Sequence, residues 1–78
     1  PINGPFDLKF ELAQREEVSI SLYGLDGGLI LTFVQGQIFE PGQHEINLVC
    51  AAQIPAGNYI LAMEIGGKKV CSVQMVKI

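Results

Sequence analysis

Apolar and polar residues alternate with a period of two along most of this chain. Phe6, Leu8, Phe10 and Leu12 are interleaved with Asp7, Lys9 and Glu11. Successive side chains of a strand point to opposite faces, so this spacing predicts a half-buried strand with one wet face. Val18, Ile20 and Leu22 alternate with Ser19, Ser21 and Tyr23 and predict a second strand, which follows the polar turn Arg15-Glu16-Glu17. Leu29 to Gln35 is more continuously apolar, as expected of a third strand covered on both faces. His44 to Val49 reads as a fourth strand with Ile46 and Leu48 inward. In a fifth, Asn58 to Ile65, the residues Tyr59, Leu61, Met63 and Ile65 share one face, and Asn58, Ile60, Ala62 and Glu64 the other. Lys68 to Ile78 is the last strand. No segment carries apolar residues at helical spacing over three turns.

Turn residues separate these runs. Leu25-Asp26-Gly27-Gly28 is a hairpin signal, because Asp-Gly supplies the positive φ values of tight primed turns. Gly36, and then Glu40-Pro41-Gly42, predict a loop and turn. Cys50 to Ala56 reads as an irregular connection, and Gly66-Gly67 turns the chain into the last strand. Six to seven short strands at regular spacing predict an all-β fold, an immunoglobulin-like antiparallel β-sandwich, with a small closed barrel as the alternative. The cysteine–tryptophan–cysteine core of antibody domains is unavailable, since the chain has no Trp. Residues 1–5, with Pro1, Asn3, Gly4 and Pro5, read as the end of an interdomain linker, and residues 6–78 as one sandwich domain.

Size and composition agree with one domain. A chain of 78 residues buries only about 60% of its unfolded surface, so it needs an apolar-rich core. Here 49% of the residues are hydrophobic. No apolar run is long enough for a transmembrane helix. The first residue is Pro1, with no signal peptide, so the chain is expected to have been processed or to be part of something larger, with any export signal lying upstream.

Charge is unevenly spread. Residues 1–64 hold all eight acids and two bases (Lys9 and Arg15), a net of −6, whereas residues 65–78 hold Lys68, Lys69 and Lys77 and no acid, a net of +3. An acidic body with one basic strand argues against nucleic acid. The lysines suit either a solvated strand that discourages edge-to-edge pairing or a recognition surface. Cys50 and Cys71 have no metal-binding spacing. They either pair across 20 intervening residues, which would add about 3 kcal/mol, or serve as two small buried hydrophobes.

Catalytic machinery is not evident. His44 is the only histidine and lies in a strand beside Glu45, while Ser19, Ser21 and Ser72 alternate with apolar residues as outward strand serines do. No Gly-X-Ser-X-Gly elbow is present, and Cys71 with His44 carries no signature of a thiol pair. One histidine and two distant cysteines do not make a metal site, and loop acids such as Asp26 and Glu40 lack EF-hand spacing. The Gly-Gly pairs do not open a helix that could hold a phosphate. For glycan stacking, only Tyr23, Phe33 and Phe39 fall outside the inward positions, and they form no evident platform. No cofactor and no enzymatic activity are expected.

Five motifs in order carry a resemblance. Asn3-Gly4-Pro5-Phe6 leads into Leu8-Lys9-Phe10-Glu11-Leu12. Val18-Ser19-Ile20-Ser21-Leu22-Tyr23 is followed by Gly24-Leu25-Asp26-Gly27. Then come Gly42-Gln43-His44-Glu45-Ile46, the corner Ile54-Pro55-Ala56-Gly57-Asn58-Tyr59, and Gly66-Gly67-Lys68 with Gln74-Met75-Val76-Lys77-Ile78. Over essentially its whole length the chain resembles the C-terminal sorting domains of the type IX secretion system and the related immunoglobulin-like domain of flagellar hook-capping proteins. It departs from the family in the extra Gly4 and in Gly24, which stands where an acid usually follows the Tyr. The resemblance implies a sorting domain at the C-terminal end of an exported cargo protein. Such a domain passes through the periplasm, is directed to an outer-membrane translocon, and is commonly then removed by a cell-surface sortase-like protease, the cargo being attached to lipopolysaccharide at the cell surface or released. The residues expected to recognise the partner are Lys68, Lys69 and Lys77 with the turn Gly66-Gly67, and Pro55, Gly57 and Tyr59 form a structural corner. Strand pairing would permit a weak homodimer. The alternative is a structural or adhesive immunoglobulin-like module of a larger extracellular or hook-cap-like protein.

Overall fold

The computed structural model describes residues 6–49 and 54–77, leaving out the side chain of Phe6. Six strands follow one another: β1 (Phe6–Leu12), β2 (Glu16–Gly24), β3 (Leu29–Phe39), β4 (Gly42–Leu48), β5 (Gly57–Ile65) and β6 (Lys68–Lys77). They form two antiparallel sheets, one of two strands in the order β1-β4 and one of four in the order β3-β2-β5-β6. The architecture is the antiparallel β-sandwich expected from the alternating runs, and the ladders do not close into a barrel. The linker reading of residues 1–5 lies outside the described residues, as do Cys50 and Ile78.

Both hairpins of the larger sheet turn where expected, but the first is not a tight primed turn, because among the described residues only glycines have positive φ and Asp26 therefore does not. Gly27 has φ +91°, its amide donates to the Gly24 carbonyl at 3.0 Å, and the Gly28 amide donates to the Asp26 carboxylate at 3.0 Å. Gly66 (φ +61°) and Gly67 (φ +83°) form a two-residue loop between Ile65 and Lys68, the backbone of a primed turn. The Gly66 amide also donates to the Glu17 carbonyl at 2.9 Å, tying this turn to the start of β2.

The core is built on the central pair. Val18, Ile20 and Leu22 on β2 are completely buried, and Tyr59, Leu61 and Met63 on β5 are nearly so. Leu12 and Leu48 close the core from the β1–β4 layer, and Ile54 joins it from the connection into β5. Phe10, Phe39 and His44 pack at one edge of this core, with ring centroids 5.1–5.4 Å apart. Phe39 lies at the end of β3, where the chain leaves one sheet for the other, so this cluster fastens the crossover.

Several details differ from the expectations. Strand β3 is longer than expected and runs through Gly36 to Phe39. It is an edge strand, not one covered on both faces, and Leu29 and Ile30 are 59% and 46% exposed. Its pairing with β2 shifts register three times, between Val18 and Ile20, between Ile20 and Ser21, and between Leu22 and Tyr23. Each extra residue on β3 reverses the phase of the alternation, which is why its apolar residues do not alternate in the sequence. Gly36 sits in one of these irregularities at φ +60°, and its amide donates to the Ser19 hydroxyl at 2.9 Å. Ser21 lies on the outer face, opposite Ala62, yet is buried there, its hydroxyl 3.5 Å from that of Thr32.

Candidate docking strand at the edge of the larger sheet

The residues singled out for recognition converge on one strand. β6 pairs with β5 along its length, from Gly57 opposite Lys77 to Ile65 opposite Lys68, and its other edge is open. Side chains of opposed residues share a face. Tyr59, Leu61, Met63 and Ile65 point into the sandwich, so their partners Met75, Val73, Cys71 and Lys68 occupy the inner side of β6, with Lys77 in the same phase. The extra residue Val70 changes the phase and sends Lys69 to the outer side, opposite Glu64. Ser72, Gln74 and Val76 lie on that outer side as well.

The three lysines therefore divide. Lys69 reaches over the ring of Tyr23, with Nζ 5.5 Å from its centroid. A cation over an aromatic face is attracted by the ring quadrupole, worth about 0.5–1 kcal/mol at an exposed site. Lys68 and Lys77 mark the two ends of the inner side of β6. Among the described residues, the two bases of the body are paired, Lys9 with Glu45 at 3.5 Å and Arg15 with Glu40 at 3.1 Å, whereas no ion pair includes Lys68, Lys69 or Lys77.

Among the described residues, the inner side of β6 is only partly covered. Val73 is 55% exposed, Cys71 is an exposed free thiol, and Met75 is only partly buried. Cys71 thus departs from the buried-hydrophobe expectation. Its phase is inward, but its side chain is exposed, so none of the described residues covers it. On the outer side, a shallow groove of about 400 Å³ is lined by Tyr23, Leu25, Ile60, Glu64 and Lys69, with glycines from both hairpin turns.

The corner before β5 brings its three residues together. Gly57 has φ +156°, and the Tyr59 hydroxyl donates to the Pro55 carbonyl at 2.5 Å. Tyr59 so buries its ring and satisfies its polar end at once. Gly66 and Gly67 shape the turn into β6 and are themselves exposed.

The candidate chemical groups are spread apart. His44 packs between Phe10 and Phe39, and its Nε2 donates to the Glu40 carbonyl at 2.6 Å, so this ring clamps a turn. Among the described residues, no group of three His, Cys, Asp or Glu side chains could hold a metal ion, and no helix is long and apolar enough to cross a membrane. Sequence reasoning missed the Ser19–Gly36 and Tyr23–Lys69 contacts. Both depend on irregular registers that alternation alone does not reveal. No protein-family model matches the chain, and no curated protein or solved structure does.

Proposed function

We propose that this domain is a sorting signal for an exported protein, of the kind used by the type IX secretion system, and that β6 is the strand its receptor reads. The resemblance of the five motifs motivates the reading. The observation that carries it is the charge pattern on β6, where none of the three lysines forms an ion pair among the described residues while both bases of the body do. Cations that no ion pair neutralises favour an acidic partner. In this role the domain performs no chemistry. It folds on an upstream cargo, presents β6 to an outer-membrane translocon, and leaves the cargo for release or for a sortase-like protease at the cell surface.

The experiment fuses residues 1–78 to the C-terminus of a fluorescent reporter in a host with this export system. The native domain is compared with a Lys68→Glu, Lys69→Glu, Lys77→Glu variant whose fold is checked by circular dichroism. Reporter at the surface or in the medium only with the native strand supports the sorting role. Equal periplasmic retention of both rejects it and leaves the structural or adhesive module as the better account.

A further inference from the structure

The two layers of this sandwich are unequal, and the mismatch falls on β6. Neighbouring strands lie about 4.8 Å apart, so two strands cover only about half the width of four. The β1–β4 layer covers the central pair, where Val18, Ile20 and Leu22 are fully buried. It leaves Cys71, Val73 and Met75 facing inward with none of the described residues fully covering them. This apolar row ends in Lys68 at one side and Lys77 at the other, and neither has an ion pair among the described residues.

We propose that an extended segment of a partner protein completes the smaller layer by adding to it as a third strand, covering the inner side of β6. Burial of a face requires an element opposite it. A strand added beside β6 would widen the uncovered face, whereas one added to the β1–β4 layer closes it. Both strands of a two-stranded sheet have an unpaired edge, so that layer can accept such a strand by main-chain hydrogen bonds. The segment's side chains toward β6 are apolar, to pack on Cys71, Val73 and Met75. Its ends are acidic, to meet Lys68 and Lys77. The span from Lys68 to Lys77 matches eight residue steps on β5, from Ile65 to Gly57, which is about 27 Å at the rise of an antiparallel strand. The segment is accordingly about nine residues long. Isologous pairing of two copies through β6 with Lys68 opposite Lys77 would oppose lysine to lysine, so a second copy docked in that way does not fit. The inference rests on the geometry of β6 and holds whether or not the domain is a sorting signal.

The test uses the 78-residue chain and a synthetic peptide of alternating valine and threonine with two glutamates at each end. A second peptide carries lysines in place of the glutamates. Fluorescence anisotropy reads binding, and amide hydrogen exchange reads where the peptide lies. The glutamate peptide should bind at least about tenfold more tightly than the lysine peptide. Val73→Asp, and the pair Lys68→Glu with Lys77→Glu, should each weaken binding at least about tenfold, and Lys69→Glu, on the outer side, should change it less than twofold. Val73 is exposed, so Val73→Asp leaves the core intact, and its unfolding midpoint verifies this. Protection should appear at amides of the β1–β4 layer. Equal binding of both peptides, indifference to Val73→Asp, or new protection confined to the open edge of β6 would each overturn the proposal. So would binding to anionic lipid vesicles with none to the glutamate peptide.

Discussion

The hydroxyl of Tyr59 donates a hydrogen bond to the carbonyl of Pro55, four residues upstream, at 2.5 Å. The bond closes the corner through which the chain enters β5, and it is made by a ring that is itself part of the core. Tyr59→Phe keeps the ring and deletes the donor. We expect a loss of about 0.5–1.5 kcal/mol in urea unfolding, with β-sheet content unchanged. A midpoint identical to that of the native domain would show that the bond contributes nothing.

Gly57, at the same corner, has φ +156°. A Cβ built there would lie 4.0 Å from Cε2 of Tyr59, an ordinary contact, so the obstacle to a side chain is the backbone and not space. Gly57→Val should destabilise the domain by about 1–3 kcal/mol, and Gly57→Ala should do so by a similar or smaller amount. Unaltered thermal stability of Gly57→Val would refute a conformational role for this glycine.

The Ser19 hydroxyl accepts the Gly36 amide at 2.9 Å where the ladder between β2 and β3 is broken. Ser19→Ala leaves that amide to water and should cost about 1 kcal/mol. Hydrogen exchange at Gly36 should accelerate more than exchange at Leu22, which lies in the core of β2. Uniform acceleration across β2 and β3 would mean that the contact does not act locally.

Ile20 is completely buried on the strand that pairs on both sides. Ile20→Val should cost about 0.5–1.5 kcal/mol, and Ile20→Ala about 2–5 kcal/mol, because the surrounding core closes only in part around the cavity. In a domain of this size the larger loss is a substantial share of total stability. Calorimetry of the two variants separates these values, and near-equal midpoints would place Ile20 outside the cooperative core.

Lys69 extends over Tyr23 across the outer face of the larger sheet, and Ala62, on that face between their strand positions, is almost fully buried. Lys69→Ala removes both the cation and the apolar stem that shields this face. A loss of about 0.5–1 kcal/mol is expected, largely kept in high salt if packing dominates and diminished if the cation does. Stability equal to that of the native domain at low salt would show that the contact is idle.

Much of the fold was legible in the chain. Alternation in 6–12, 18–23 and 58–65 located β1, β2 and β5 and their inward faces, because a half-buried strand forces a period of two on its residues. The positions of the Asp26-Gly27 and Gly66-Gly67 turns and of the Pro55–Tyr59 corner were legible too, because the positive φ at Gly27, Gly57, Gly66 and Gly67 restricts the residues that can stand there, although Asp26 does not take the positive φ of a primed turn. The basic character of β6 was equally plain from composition.

Two features became visible only in three dimensions. The apolar run of β3 suggested a strand covered on both faces, yet β3 is an edge whose three register shifts scramble the alternation. Cys71 and Val73 have the phase of core residues and are nevertheless exposed. Phase along a strand is a local property of the backbone, and the sequence alone determined it. Whether a second layer stands opposite a given strand depends on how many strands each sheet recruits and in what order. Only long-range pairing decides that, and among the described residues it left β6 at an open edge with much of its inward face exposed.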